Sequence, residues 1–176
     1  MTTTNEQRQG EAKSRLLVID DEPDTLDILR PFLSMFGFEV FTALTGKQGK
    51  QAIVMHNPDV VVLDLMLPDM DGLELCRQVR QNPATVRLPV IILSARTGKE
   101  EVRQGYEAGA TLYLKKPVDM DQLVAECKRV IALGKHVTRP LDAQVADANA
   151  PATGMTAPSK IGKGTTKDSD SPPSTS

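Results

Sequence analysis

Val60-Val61-Val62-Leu63-Asp64-Leu65-Met66-Leu67-Pro68-Asp69-Met70-Asp71-Gly72 is the stretch from which the fold is read. Its four consecutive branched apolar residues suit a strand buried on both faces, the habit of parallel sheets. Asp64 interrupts the run, and Pro68, Asp69, Asp71 and Gly72 then supply turn chemistry. Asp69 and Asp71 read as turn and N-cap residues around Gly72 rather than as chemical groups.

Working outward, similar apolar runs occur at Arg15–Ile19, Glu39–Thr42, Val90–Leu93 and Thr111–Leu114, their starts about 20–30 residues apart. Between them apolar residues take helical spacing, as at Leu26, Leu29, Leu33 and Phe36, or Leu123, Cys127, Val130 and Ile131. Thr97 with Glu100, and Asp119 with Gln122, fit the capping box. Gly37 and Gly134 stand where a glycine would stop a helix. Pro31 falls inside the first helical pattern and is expected to kink it, because it lacks an N–H and crowds the preceding turn. Strands alternating with helices predict an α/β fold, (βα)5, with right-handed crossovers. Five strands in this length fit a flavodoxin-like doubly wound parallel sheet with strand order 2-1-3-4-5. A Rossmann sheet is disfavoured, because Asp20-Asp21-Glu22-Pro23 follows the first strand in place of a glycine fingerprint.

Composition narrows the function. Lys and Arg number 21 and Asp and Glu 23, a net charge of −2, which argues against nucleic acid as the main partner. Cys76 and Cys127 form no CxxC or Cys/His cluster, which argues against zinc. Both fall in helical patterns and read as buried apolar side chains in a reducing compartment. Met1–Lys13 lacks the apolar core of a secretory signal. No run approaches the roughly 20 apolar residues that span a bilayer, so the expected location is cytoplasmic. The region 135–176 holds five prolines, eleven Ser or Thr and few large apolar residues. Such a tail cannot bury enough apolar surface to offset its ordering entropy. The expected organisation is a disordered lead (1–13), one folded domain (14–134) and a disordered tail (135–176).

Polar residues at strand ends carry the chemistry. Asp20 and Asp21 follow the first strand, Asp64 the third, Ser94 ends the fourth and Lys116 follows the fifth. In a parallel sheet these ends share one edge, and in the 2-1-3-4-5 order the first and third strands meet at the switch point where ligands bind. Three adjacent carboxylates repel one another unless a hard cation intervenes. Mg²⁺, which takes carboxylate, water and phosphate oxygens, suits the cluster and predicts a phosphoryl group beside it. Lys116 would pair with Asp64 or a phosphate oxygen, and Ser94 would donate to another. A carboxylate can itself be the nucleophile, forming an aspartyl phosphate.

Four segments carry a family resemblance: Leu16–Asp24 (LLVIDDEPD), Val60–Gly72 (VVVLDLMLPDMDG), Val90–Ala95 (VIILSA) and Gly109–Pro117 (GATLYLKKP). Together they resemble the response-regulator receiver domain of two-component signalling, over residues 14–134. The resemblance implies that Asp64 is the phosphoacceptor and that Asp21 ligates Mg²⁺ directly, with Asp20 doing so mostly through water. It makes the backbone carbonyl of Met66 the third protein ligand, Ser94 the hydroxyl switch residue, Tyr113 the aromatic switch residue and Lys116 the phosphate-contacting lysine. Glu22 is left outside the metal set. Two acids that often support dimers through the face of the fourth helix, fifth strand and fifth helix are Thr111 and Leu112 here, and a helix-five arginine is Glu126. The usual dimer is therefore doubtful.

The resulting expectation is a stand-alone receiver. A histidine kinase or phosphotransfer protein phosphorylates it on Asp64 with Mg²⁺, and it signals to a downstream protein through that same face. It has no DNA-binding module and no membrane segment. It is not an enzyme beyond catalysing its own phosphorylation and dephosphorylation. An aspartyl-phosphate phosphatase would want an acid two residues after the nucleophile, where Met66 stands. A phosphorylation-independent binding module is the other rival. His56 and His136 are expected on the surface.

Overall fold

In a computed structural model, which describes residues 12–136, the five apolar runs become β1 (Ser14–Ile19), β2 (Phe38–Ala43), β3 (Val60–Leu63), β4 (Val90–Ser94) and β5 (Leu112–Lys115). The intervening segments become α1 (Pro23–Met35), α2 (Gly46–His56), α3 (Gly72–Gln81), α4 (Lys99–Glu107) and α5 (Met120–His136). All strand pairs are parallel, in the order β2-β1-β3-β4-β5. This is the expected doubly wound (βα)5 sheet. The expected lead and tail lie, but for their innermost residues, outside the described residues.

Side chains alternate across the sheet, so each strand feeds two cores. Leu16, Val18, Val60, Val62, Ile91 and Leu93 pack with α1 and α5 residues such as Leu33, Leu123 and Cys127. Leu17, Ile19, Val61, Leu63, Val90 and Ile92 pack with α2 and α3 residues such as Ile53, Leu75 and Cys76. The two cysteines are free, buried and on opposite faces of the sheet. Burial pushes both thiols up, Cys127 to about 12, so neither is a reactive thiolate at neutral pH.

Local chemistry explains several helix ends. Pro23 opens α1, where a missing N–H costs nothing. Gly37 follows α1 at φ +92°, a backbone shape that disfavours other residues, and donates to the Ser34 carbonyl. Asp71 Oδ1 caps α3 through Leu73 N–H (2.9 Å), and Asp119 Oδ1 caps α5 through Gln122 N–H (2.8 Å). Despite Pro31, α1 continues to Met35.

Three expectations are corrected. Thr97 does not cap α4: Gly98 takes that position without a side-chain bond, and the Glu100 carboxylate is engaged by Arg103 and Gln104 instead of reaching back. Gly134 does not stop α5, which runs on to His136. A Cβ at Gly134 would touch Pro89 Cγ at 3.4 Å, so its small size serves packing. His56 is half-buried, its ring stacked on Phe41 with centroids 3.9 Å apart. The side chain of His136 lies outside the described residues.

Arg80 was given no role by its position in the sequence. Its guanidinium donates to the carbonyls of Gly109 and Leu88 (both 2.6 Å) and reaches Thr111 Oγ1 (3.3 Å). It thereby ties α3 to the loops that precede β4 and β5. Among the described residues no helix is long and apolar enough to cross a membrane.

Candidate functional site

Strand register assembles the site. Ile19 pairs with Leu63, so Asp20 and Asp64 leave neighbouring strands side by side, and Asp64 N–H donates to the Ile19 carbonyl (2.8 Å). Lys115 pairs with Ser94, and Lys116 N–H donates to the Ser94 carbonyl (2.9 Å). All the expected polar residues thus stand on the C-terminal edge of the sheet. Asp20, Asp64 and Ser94 are buried, at 2 %, 7 % and 0 % exposure, while Asp21 is exposed.

Asp20 and Asp64 are held in the same manner. Each turns Oδ1 back onto the backbone N–H two residues later: Glu22 to Asp20 (2.9 Å), Met66 to Asp64 (3.0 Å). Each offers Oδ2 to Lys116 Nζ, 2.7 Å away in Asp20 and also hydrogen-bonded in Asp64. Burial raises the pKa of Asp20, against the opposing pull of Lys116 and the Glu22 N–H. Burial also acts to lower Lys116, but its bonds to Asp20 and Asp64 outweigh that and hold it above the ordinary lysine value. One ammonium against three carboxylates leaves the pocket with an excess of two negative charges.

That excess suits a cation. One carboxylate oxygen from each of Asp20, Asp21 and Asp64 lies within 4.8 Å of the others. The donors are hard oxygens, two of them on buried and rigidly held carboxylates, which fits Mg²⁺ rather than a softer metal. Glu22 stays outside the cluster, its carboxylate accepting from the Thr25 hydroxyl (2.9 Å).

The β4 and β5 ends hold the remaining residues. Ser94 Oγ accepts from Arg96 N–H (3.2 Å), and the Tyr113 hydroxyl donates to the Arg96 carbonyl (2.7 Å). The loop after β4 is thus pinned by both expected switch residues. Two glycines make close contacts that no local sequence pattern announced. A Cβ on Gly72 would lie 2.5 Å from the Asp64 carbonyl oxygen, and one on Gly105 would lie 2.6 Å from the Tyr113 ring. The Asp71-Gly72 pair signalled a turn, but not that the turn presses on Asp64. The Lys116–Pro117 peptide is cis.

Residues 16–128 match the family of the response regulator receiver domain. The chain belongs to the response regulator receiver family. The receiver is 43 % identical over 116 residues to the transcriptional regulatory protein KdpE of Mycobacterium tuberculosis, covering 66 % of this chain and 50 % of that protein. It is 39 % identical over 121 residues to the phosphate regulon transcriptional regulatory protein PhoB of Rhizobium meliloti, covering 69 % and 53 %. The chain therefore spans about half the length of the curated relatives it matches. Among solved structures, the receiver domain of Francisella response regulator 1452 is 30 % identical with a TM-score of 0.64, covering 68 % of this chain and 98 % of that one. A CheY-like receiver domain protein of Methanospirillum hungatei is 27 % identical with a TM-score of 0.66, covering 70 % and 98 %. The receiver is thus a signalling domain of two-component response regulators, with an acidic cluster able to hold a metal ion.

Proposed function

We propose that Asp64 is the phosphoacceptor of this receiver and that a histidine kinase or phosphotransfer protein supplies the phosphoryl group. The observation that carries this reading is the buried Asp64 carboxylate, held by Lys116 inside a three-carboxylate cluster. An Asp64 carboxylate oxygen attacks phosphorus in line, forming the O–P bond as the donor N–P bond breaks, and the freed imidazole nitrogen takes up a proton. Mg²⁺, held by Asp20, Asp21, Asp64 and the Met66 carbonyl, supplies charge neutralisation when bound. Lys116 exchanges a carboxylate for a phosphoryl oxygen, and the Ser94 hydroxyl turns its hydrogen toward another.

Taking up the phosphoryl group draws on the two groups that pin the loop after β4. Ser94 leaves Arg96 N–H, Tyr113 follows, and the α4–β5–α5 face changes its partner preference. We propose that output runs through a protein target on that face. Several charges there pair within single helices: Arg103 with Glu100 (2.6 Å) and Glu107 on α4, and Arg129 with Glu126 (2.6 Å) on α5. Thr111 Oγ1 accepts from Val90 N–H (3.2 Å), and Leu112 packs on the core. Such a face supports a reading without the usual charge-paired dimer. The two free buried thiols fit a cytoplasmic protein. The receiver unit is proposed to span residues 14–134 and to need no other part of the chain for phosphoryl uptake.

Mass spectrometry after incubation with acetyl phosphate and Mg²⁺ tests the reading. The wild-type chain gains one phosphoryl group, and Asp64→Asn gains none. Multiple turnover of a phosphate ester would mark a phosphatase, and absence of any adduct a phosphorylation-independent binding module.

A further inference from the structure

The loop that follows Asp64 is anchored on a helix from a different part of the chain. Asp69 Oδ1 accepts from Gly46 N–H (2.8 Å), and its Oδ2 accepts from Lys47 N–H (2.9 Å). Gly46 and Lys47 open α2, where the first N–H groups have no partner inside the helix and carry partial positive charge. The side chain of the N-cap residue Thr45 accepts from Gln48 N–H (3.1 Å), which leaves the first two N–H groups to another acceptor. One carboxylate from the far side of β3 therefore completes the cap, and the two N–H bonds hold its pKa below the ordinary aspartate value. The expectation that Asp69 serves the turn at Gly72 is corrected. Asp71 fills that place as the cap of α3, and Asp69 caps the start of α2 instead.

Packing reinforces the tie. A Cβ on Gly46 would lie 2.5 Å from Met70 Cγ, so the Met70 side chain occupies the space beside that glycine. At its other end the loop is fixed to its own strand and helix. Met66 N–H donates to Asp64 Oδ1 (3.0 Å), Met66 forms an antiparallel bridge with Asp71, and Gly72 N–H donates to the Leu65 carbonyl (3.0 Å). The Met66 backbone thus lies between a local anchor at Asp64 and a remote one at α2.

We propose that Asp69 is a positioning residue for the metal site, holding the loop so that the Met66 carbonyl is set for Mg²⁺. The inference rests on Met66 being a metal ligand in the function proposed above. Mg²⁺ demands near-ideal octahedral placement of its oxygens. A backbone carbonyl on a loop released at one end meets that demand in fewer of its conformations. Asp69 itself touches neither metal nor phosphoryl group.

Calorimetric titration of the full chain with Mg²⁺ tests this, beside the Mg²⁺ dependence of phosphorylation by acetyl phosphate. Asp69→Ala is expected to weaken Mg²⁺ binding by roughly tenfold, the low end for loss of a group that supports a metal ligand. The same change appears in the Mg²⁺ needed for half-maximal phosphorylation, with the rate at saturating Mg²⁺ near wild type. Asp69→Asn keeps one acceptor oxygen and falls between the two. A lowered melting midpoint with unchanged Mg²⁺ affinity would overturn the proposal, since Asp69 is then a helix cap and nothing more. If Asp69→Ala does not fold, Asp69→Asn decides by the same two readings. Wild-type protein that binds no Mg²⁺ removes the metal reading itself, an outcome separate from wild-type binding that Asp69 variants leave untouched.

Discussion

Asp64 has two neighbours whose side chains decide how long a phosphoryl group would stay. Hydrolysis of an aspartyl phosphate needs a water in line behind phosphorus. Met66 stands two residues after the acceptor and is 55 % exposed, and Arg96 stands two residues after Ser94 and is also exposed. Neither side chain offers a carboxylate or amide to orient that water. Met66 adds apolar bulk, and the Arg96 guanidinium is suited to pairing with a phosphoryl oxygen. Slow self-dephosphorylation is therefore expected. The double variant Met66→Asn/Arg96→Glu should lose phosphate faster by roughly tenfold, about 1.4 kcal/mol in the barrier. Loss of radiolabel from purified phosphoprotein measures it, and equal decay in both proteins would show that shielding by these two residues does not set the lifetime.

Between elements, α4 approaches β5 closely at Gly105. Gly105 is buried in α4 with no unusual backbone angle, and the Tyr113 ring lies 2.6 Å from where its Cβ would be. Two effects oppose each other in Gly105→Ala. Alanine favours the helix by about 1 kcal/mol. Overpacking against a ring costs typically 1–3 kcal/mol. The clash is expected to win, because the contact falls on ring atoms and the ring is tethered by its hydroxyl to the Arg96 carbonyl. A lower midpoint in thermal melting is the expected result. The loss should largely vanish in a Tyr113→Ala background, where the ring is gone. A stabilised Gly105→Ala would mean that α4 shifts on the sheet at no cost.

At the scale of the molecule, the acidic edge is a place where the fold works against itself. Two aspartates are buried there and a third stands beside them, with only Lys116 in compensation. A ligand that binds only the folded state adds stability by mass action. Mg²⁺ at about tenfold above its dissociation constant should add about 1.4 kcal/mol and raise the midpoint by roughly 5 °C. The sign of the pH dependence follows from Asp20. Its folded pKa is raised, so the stability tied to its proton is present at acid pH and is lost as pH rises through the folded value. The Mg²⁺ gain should therefore be larger at neutral than at acid pH. A chain ended after His136 should show the same gain as the full chain. Scanning calorimetry with and without Mg²⁺ measures both, and an unchanged midpoint in the full chain would count against a metal site.

The sequence by itself determined the order and type of the elements, because apolar runs such as Val60–Leu63 and helical spacings such as Leu26-Leu29-Leu33 are local patterns of burial. It also placed Asp20, Asp21, Asp64, Ser94 and Lys116 on one edge, since any parallel sheet aligns its strand ends. What only the tertiary structure decided depends on partners distant along the chain. Asp69 looked like another turn residue, yet it caps a helix that begins 23 positions earlier. Arg80 carries no local signal at all, yet it satisfies carbonyls of two loops. Gly134 looked like a helix stop, yet a neighbouring proline gives its size a use inside the helix. Hydrogen bonds and close contacts of this kind act over about 3 Å in space and leave no period in the sequence. They become visible only when the sheet has brought their partners together.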